Sequence, residues 1–180
     1  MSWIEGLRRR LATWDAQAAS ATLAGFEARH GLDLRSRRVV VASLDAARRA
    51  LHPDGRPLVE HHWASWCEPC LDELDVIERL AERLGTRADV VGVSWDRLDS
   101  ADEAPETTRA RVADLALRHG LSWPTLVLDT DAEALFAALS VPVRTVPFTR
   151  VLDADGGVLR TVQGPLSAAD VDDITQLVGV

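Results

Sequence analysis

Residues 58–85 read LVEHHWASWCEPCLDELDVIERLAERLG, and this stretch decides the fold. Leu58 to Ala64 has the length and residue types of a strand. From Cys67 onward, Leu71, Leu74, Ile77, Leu80, Ala81 and Leu84 fall on one face at helical spacing, and Gly85 supplies the stop. The strand runs straight into the only two cysteines of the chain, Cys67 and Cys70. A helix that begins at the first of them places its sulfur among unpaired N–H groups at the positive end of the helix dipole, where an anion is favoured. Cys67 is therefore the expected thiolate. Cys70 lies one turn later on the same side, within reach of a small disulfide ring and less exposed, which suits a resolving thiol. Thiol–disulfide exchange needs this division of labour, with an outer sulfur that attacks and an inner one that displaces the product. Pro69 in the first turn gives up an N–H that the helix does not need and restricts the dithiol ring. Glu68 opposes thiolate formation by like charge and tunes the pair towards reducing behaviour.

Working outward, the same alternation repeats. Ile4, Leu7, Leu11, Trp14, Ala18 and Ala21 predict an amphipathic helix from Trp3 to about Glu27, so residues 1–30 form a helical extension and 31–180 the main domain. VVVASL, ADVVGVSW and PTLVLD predict strands; SLDAARRAL, ETTRARVADLALRHG and DAEALFAAL predict helices. FTRVLDADGGVLRTVQG predicts two strands about an Asp-Gly-Gly turn, and SAADVDDITQLV a closing helix capped by Ser167. Strands alternating with helices imply parallel βαβ units, and the late hairpin adds an antiparallel edge. The expected fold class is α/β, a mixed sheet flanked by helices.

Composition narrows the function. A chain of 180 residues, 47% hydrophobic, buries a full core, and two cysteines are too few for a disulfide scaffold. A net charge of −8 with interspersed signs disfavours nucleic acid and anionic membranes as partners. No apolar run approaches a membrane span, and MSWIEGLRRRLATWDAQAAS lacks the apolar segment of a secretory signal. The expected compartment is the cytoplasm, where a close cysteine pair serves redox or metal chemistry.

With the residues laid out, WASWCEPC resembles the active site of the thioredoxin superfamily, in its TlpA-like and ResA-like branch. DVVGVSWD, the helix after it and LSWPTLVLDTDAEALFAALSV resemble that branch's central insertion, and VPFTRVLDADGGVL its proline-to-hairpin segment. The resemblance spans roughly Val39 to Val180. It implies a thioredoxin-like fold and a cis-proline at Pro147 facing the dithiol; the competing X-Pro bond is Val141-Pro142, after which no strand starts immediately. It implies that Val146 offers its backbone to an extended substrate, and that Trp66 is an apolar platform beside Cys67. Trp63 is assigned to the core. The resemblance also favours an extracytoplasmic compartment, in disagreement with the visible N-terminus.

Two features depart from that pattern. Where the branch carries a small polar or acidic residue and then phenylalanine, this chain has His61 and His62. Strand alternation puts His61 on the face of Val59 and Trp63, beneath the dithiol. It is either a buried neutral histidine with one hydrogen bond or a proton relay to Cys70. His62 points to the opposite face as a satisfied core histidine, and that opposition makes a metal site of the two histidines and two cysteines awkward. No metal or cofactor is expected. The second departure is the N-terminal helix, whose apolar stripe docks on its own domain, a second copy or a partner. The function these readings support is a thiol–disulfide oxidoreductase that reduces protein disulfides with electrons from a thiol donor. A peroxiredoxin-like (AhpC/TSA, Redoxin-like) peroxidase is the alternative among enzymes, although HHWASWC lacks the Pro-x-x-x-Thr/Ser pattern expected before such a cysteine. A non-catalytic redox-responsive binding module is the alternative outside them.

Overall fold

The computed structural model describes residues 39–51, 55–98, 102–138 and 144–179 of the chain. The expected N-terminal helix, the boundary near residue 30 and the Val141-Pro142 bond lie outside the described residues. In chain order the elements are β1 (Val39–Ala42), α1 (Leu44–Ala50), β2 (Leu58–Trp63), α2 (Glu68–Leu84), β3 (Asp89–Ser94), α3 (Pro105–His119), β4 (Thr125–Leu128), α4 (Ala132–Ala138), β5 (Phe148–Leu152), β6 (Val158–Gln163) and α5 (Ala168–Leu177).

These elements form where local chemistry permits. Ser43 caps α1 by accepting from Ala46 N–H, and Ser167 caps α5 through a reciprocal capping box with Asp170. α3 opens with Pro105 and stops at Gly120, whose φ of +64° is left-handed and therefore suits a residue without a Cβ. Helices α2 and α5 pack together, as do α1 and α4.

The strands form one six-stranded sheet in the order β1-β4-β3-β2-β5-β6. The first four run parallel, while β5 pairs antiparallel with both β2 and β6. The mixed α/β sandwich expected from the sequence is therefore the fold observed. β2 is a central strand, buried at all six residues and bonded on both edges. Its two faces carry different populations. His61 and Trp63 meet Trp123 edge-to-face, at ring-centroid distances of 6.1 and 6.3 Å. His62 stacks on Phe148 at 4.0 Å and meets Trp95 edge-on at 5.9 Å.

Glycine is required at one point in the sheet. Gly92 lies between His61 of β2 and Thr125 of β4 in register, and a Cβ there would sit 2.4 Å from Trp123 Cζ3 and 2.6 Å from Thr125 Oγ1. The close approach is what brings Trp123 over the His61 face. Gly92→Ala is therefore expected to destabilise the protein by about 1–3 kcal/mol, read as a lower urea midpoint at unchanged m-value. A midpoint equal to that of the parent would refute the steric reading.

Candidate active site

β2 ends at Trp63, and a short turn closed by Cys67 N–H donating to the Ala64 carbonyl, 3.2 Å, delivers the chain to α2. Asp96, just beyond the end of β3, holds that turn. It accepts from Ser65 N–H at 2.9 Å, from the Ser65 hydroxyl, and from the Ser94 hydroxyl at 2.8 Å. Arg111 of α3 reaches the same place, 3.3 Å from Ser65 Oγ and 3.6 Å from Asp96. Helix α3 is thereby tied to the loop that carries Trp66 and Cys67.

Cys67 is the N-cap of α2, and its Sγ accepts from Cys70 N–H at 3.3 Å. This is the N–H environment that favours a sulfur anion once the pair is reduced. Here Cys67 and Cys70 are joined as a disulfide, with their Cα atoms 5.2 Å apart. Cys67 keeps 7% of its surface in solvent, whereas Cys70 is wholly covered. Trp66 beside them is 66% exposed, an apolar ring held open next to the reactive sulfur. Glu68 and Pro69 are exposed on the first turn. Across from them the Val146–Pro147 peptide is cis, and the half-buried Val146 lies with its carbonyl oxygen 3.7 Å from Cys67 Sγ.

On the α2 side of β2 lies a pair of buried titratable groups, His61 and Glu73. His61 is fully buried, with Nδ1 3.1 Å from Thr149 Oγ1 and Nε2 3.7 Å from Glu73 Oε1. Its polar neighbours are thus Thr149 and Glu73, and the imidazole is held neutral, its pKa lowered to about 3, first by burial and then by neighbouring His62. Glu73, one turn after Cys70, uses Oε2 to accept from Leu166 N–H at 2.8 Å, while Oε1 has no hydrogen-bond partner. Burial pushes its carboxyl up to about 7, against the opposing bond from Leu166.

His62, on the other face, is satisfied as expected. Its Nδ1 accepts from Trp95 Nε1–H at 3.0 Å, and its Nε2 lies 3.5 Å from Glu60 Oε2, which also accepts from Arg150 at 2.7 and 2.8 Å. Burial lowers the His62 pKa, with Glu60 opposing. The two histidines thus serve separate faces, and no group of three or more metal-ligating side chains occurs among the described residues.

Sequence reasoning did not pick out Glu73, Asp96, Thr149 or the Glu60–Arg150 pair. For Glu73 a signal existed: it shares the spacing of Ile77, Leu80 and Leu84, so an acid stands within the apolar stripe of α2. Asp96, Thr149 and Arg150 come close to their partners only through strand pairing.

No family model matches the chain. Among curated proteins it is similar to thioredoxin-like protein YneN of Bacillus subtilis, 25% identical over 118 residues, which span 66% of this chain and 62% of that protein. It is also similar to the thiol:disulfide interchange protein DsbE of Allochromatium vinosum, 28% identical over 106 residues, 59% of this chain and 50% of the other. The chain thus spans between half and two thirds of the length of these relatives. Among solved structures it resembles a DsbF homologue from Corynebacterium diphtheriae, with a TM-score of 0.55 and 22% identity over 68% of this chain and 72% of that one, which bears on the fold. With strand, capped helix and dithiol arranged as they are, the chain has a thioredoxin-like fold and is similar in sequence to thioredoxin-like and thiol:disulfide interchange proteins.

Proposed function

We propose that this chain is a disulfide reductase for protein substrates, working through Cys67 and Cys70. The observation that carries the reading is the placement of Cys67: its sulfur caps α2, lies beside the open ring of Trp66, and has the buried Cys70 directly behind it. In the reduced protein, the Cys67 thiolate attacks one sulfur of a substrate disulfide. The substrate S–S bond breaks, a mixed disulfide forms, and the first substrate thiolate leaves and takes a proton from solvent. Cys70 then gives its proton to the Glu73 carboxylate and attacks Cys67 Sγ. The second substrate thiolate is expelled and the Cys67–Cys70 disulfide is restored. The substrate gains two electrons and the dithiol loses two, to be replaced by a thiol donor.

The remaining residues support that cycle. Val146 offers its carbonyl to an extended substrate segment, with Pro147 behind it and Trp66 as the apolar platform. Pro69 stiffens the ring, and Glu68 disfavours the thiolate and so favours electron donation. A carboxyl with a pKa near 7 is suited to taking and returning a proton at neutral pH. The midpoint potential bears on direction and on compartment. A value close to about −270 mV suits a reductant in the cytoplasm, and one near about −120 mV an oxidant.

Catalysed reduction of insulin disulfides by a dithiol tests the reading. Cys67→Ser is expected to lose activity by about a hundredfold or more, while Cys70→Ser accumulates a mixed disulfide detectable by mass. No turnover by the parent protein, or rapid saturating turnover with hydrogen peroxide in its place, would sink the proposal.

Glu73 makes a separate prediction for stability. Its folded pKa lies above the ordinary carboxylate value, so its contribution is fully present below about pH 4.5 and is lost as pH rises through about 7. Glu73→Gln removes this term and leaves the others. Relative to the parent, the oxidised variant is expected to gain on the order of 2 kcal/mol between pH 4.5 and 8, part of the full shift being screened. Urea unfolding at both pH values measures it, and a pH-independent difference would show that Glu73 is not the group concerned.

A further inference from the structure

The proposed exchange uses an acid at Glu73, but it does not need an imidazole facing that acid. This chain supplies one. His61 Nε2 and Glu73 Oε1 lie 3.7 Å apart, both side chains are buried, and neither atom has a hydrogen-bond partner. On its other side the same ring meets Thr149 Oγ1 at 3.1 Å, directly across the β2–β5 register. A hydroxyl both donates and accepts, whereas a neutral imidazole presents one donor and one acceptor and is free to exchange them.

We propose that Thr149, His61 and Glu73 act as a coupled set in which the neutral imidazole changes tautomer as Glu73 gains or loses its proton, so that both charge states of the acid have a partner. When Glu73 is ionised, Oε1 only accepts. The ring proton then sits on Nε2 and points at the carboxylate, while Nδ1 accepts from the Thr149 hydroxyl. When Glu73 is protonated on Oε1, it donates to a bare Nε2, and the Nδ1–H donates to Thr149. The imidazole carries one ring proton in both states and Thr149 keeps its own, so the net change is the single proton bound by Glu73. His61 and Thr149 are thus positioning residues that act through Glu73, and their purpose rests on the proposed exchange reaction, in which Glu73 takes the Cys70 proton.

The surroundings fit this assignment. Along the two elements that carry the pair, the neighbouring titratable groups are Cys70, one turn earlier on α2, and His62, adjacent in β2 with the Glu60–Arg150 ion pair on the far face. From the turn before α5 comes the Leu166 N–H, which occupies Oε2 and leaves Oε1 to face the ring. Burial keeps the imidazole neutral throughout the working range. An unpaired polar atom at such depth is destabilising, and the exchange of tautomer avoids leaving one behind in either state.

Long-range proton–nitrogen correlation spectra of the 15N-labelled oxidised protein, recorded from pH 5 to 9, test the coupling directly. The expected result is that His61 changes its major tautomer with the midpoint of Glu73, near pH 7, without passing through the cationic form. In Glu73→Gln the amide NH2 faces Nε2, and His61 is expected to hold the Nδ1–H tautomer at every pH. One fixed tautomer in the parent, an exchange that survives in Glu73→Gln, or a cationic ring in this range would each overturn the proposal. Because these spectra need no substrate, failure of insulin reduction with the tautomer change present would refute the reductase reading and leave the coupling standing. Reduction without the change would refute the coupling alone.

Discussion

One constraint organises the site: the central strand β2 must give way to α2 at Cys67. All six residues of β2 are buried and bonded to β3 and β5. The position of its C-terminal end is therefore fixed by the sheet. Asp96 then pins the connecting turn through Ser65, and Cys67 meets the helix as its cap. A sulfur in that position is bonded by a helix N–H and has its partner one turn behind. The proposed redox chemistry follows from the junction, with few further residues needed to create it.

The faces of β2 solve the same difficulty in different ways. Both bury polar side chains, which costs free energy unless partners are supplied. Towards Phe148, the row Trp95–His62–Glu60–Arg150 runs from indole donor to guanidinium, and the buried carboxylate meets an opposite charge. Towards α2, no cation faces Glu73 among the described residues and His61 stays neutral, so burial outweighs the opposing bond from Leu166. One face settles its charges and holds the sheet together, while the other keeps a proton near neutrality within one helical turn of Cys70.

Much of this was legible in advance. Each strand and helix expected between Val39 and Leu177 is present, because the spacing of apolar residues and the glycine and serine caps act locally. Cys67 at the helix start, the covered Cys70 and the opposed faces of His61 and His62 follow from periods of 3.6 and 2. Trp63 in the core follows from the same reading. The partners of the polar residues were not legible. Glu73 is one of several acids on a charged helix, and only its place among Ile77, Leu80 and Leu84 marks it.

By itself, then, the sequence determined the order of elements, the sulfur at the mouth of a helix, and which side of a strand each histidine takes. Those properties depend on neighbours a few positions away. The tertiary structure alone decided that Thr149 meets His61, that Arg150 neutralises Glu60, that Asp96 grips Ser65, and that Glu73 loses its solvent. Each requires chains distant in sequence to meet in register and to exclude water. A carboxyl's proton affinity is set by that exclusion, which no local pattern of residues encodes.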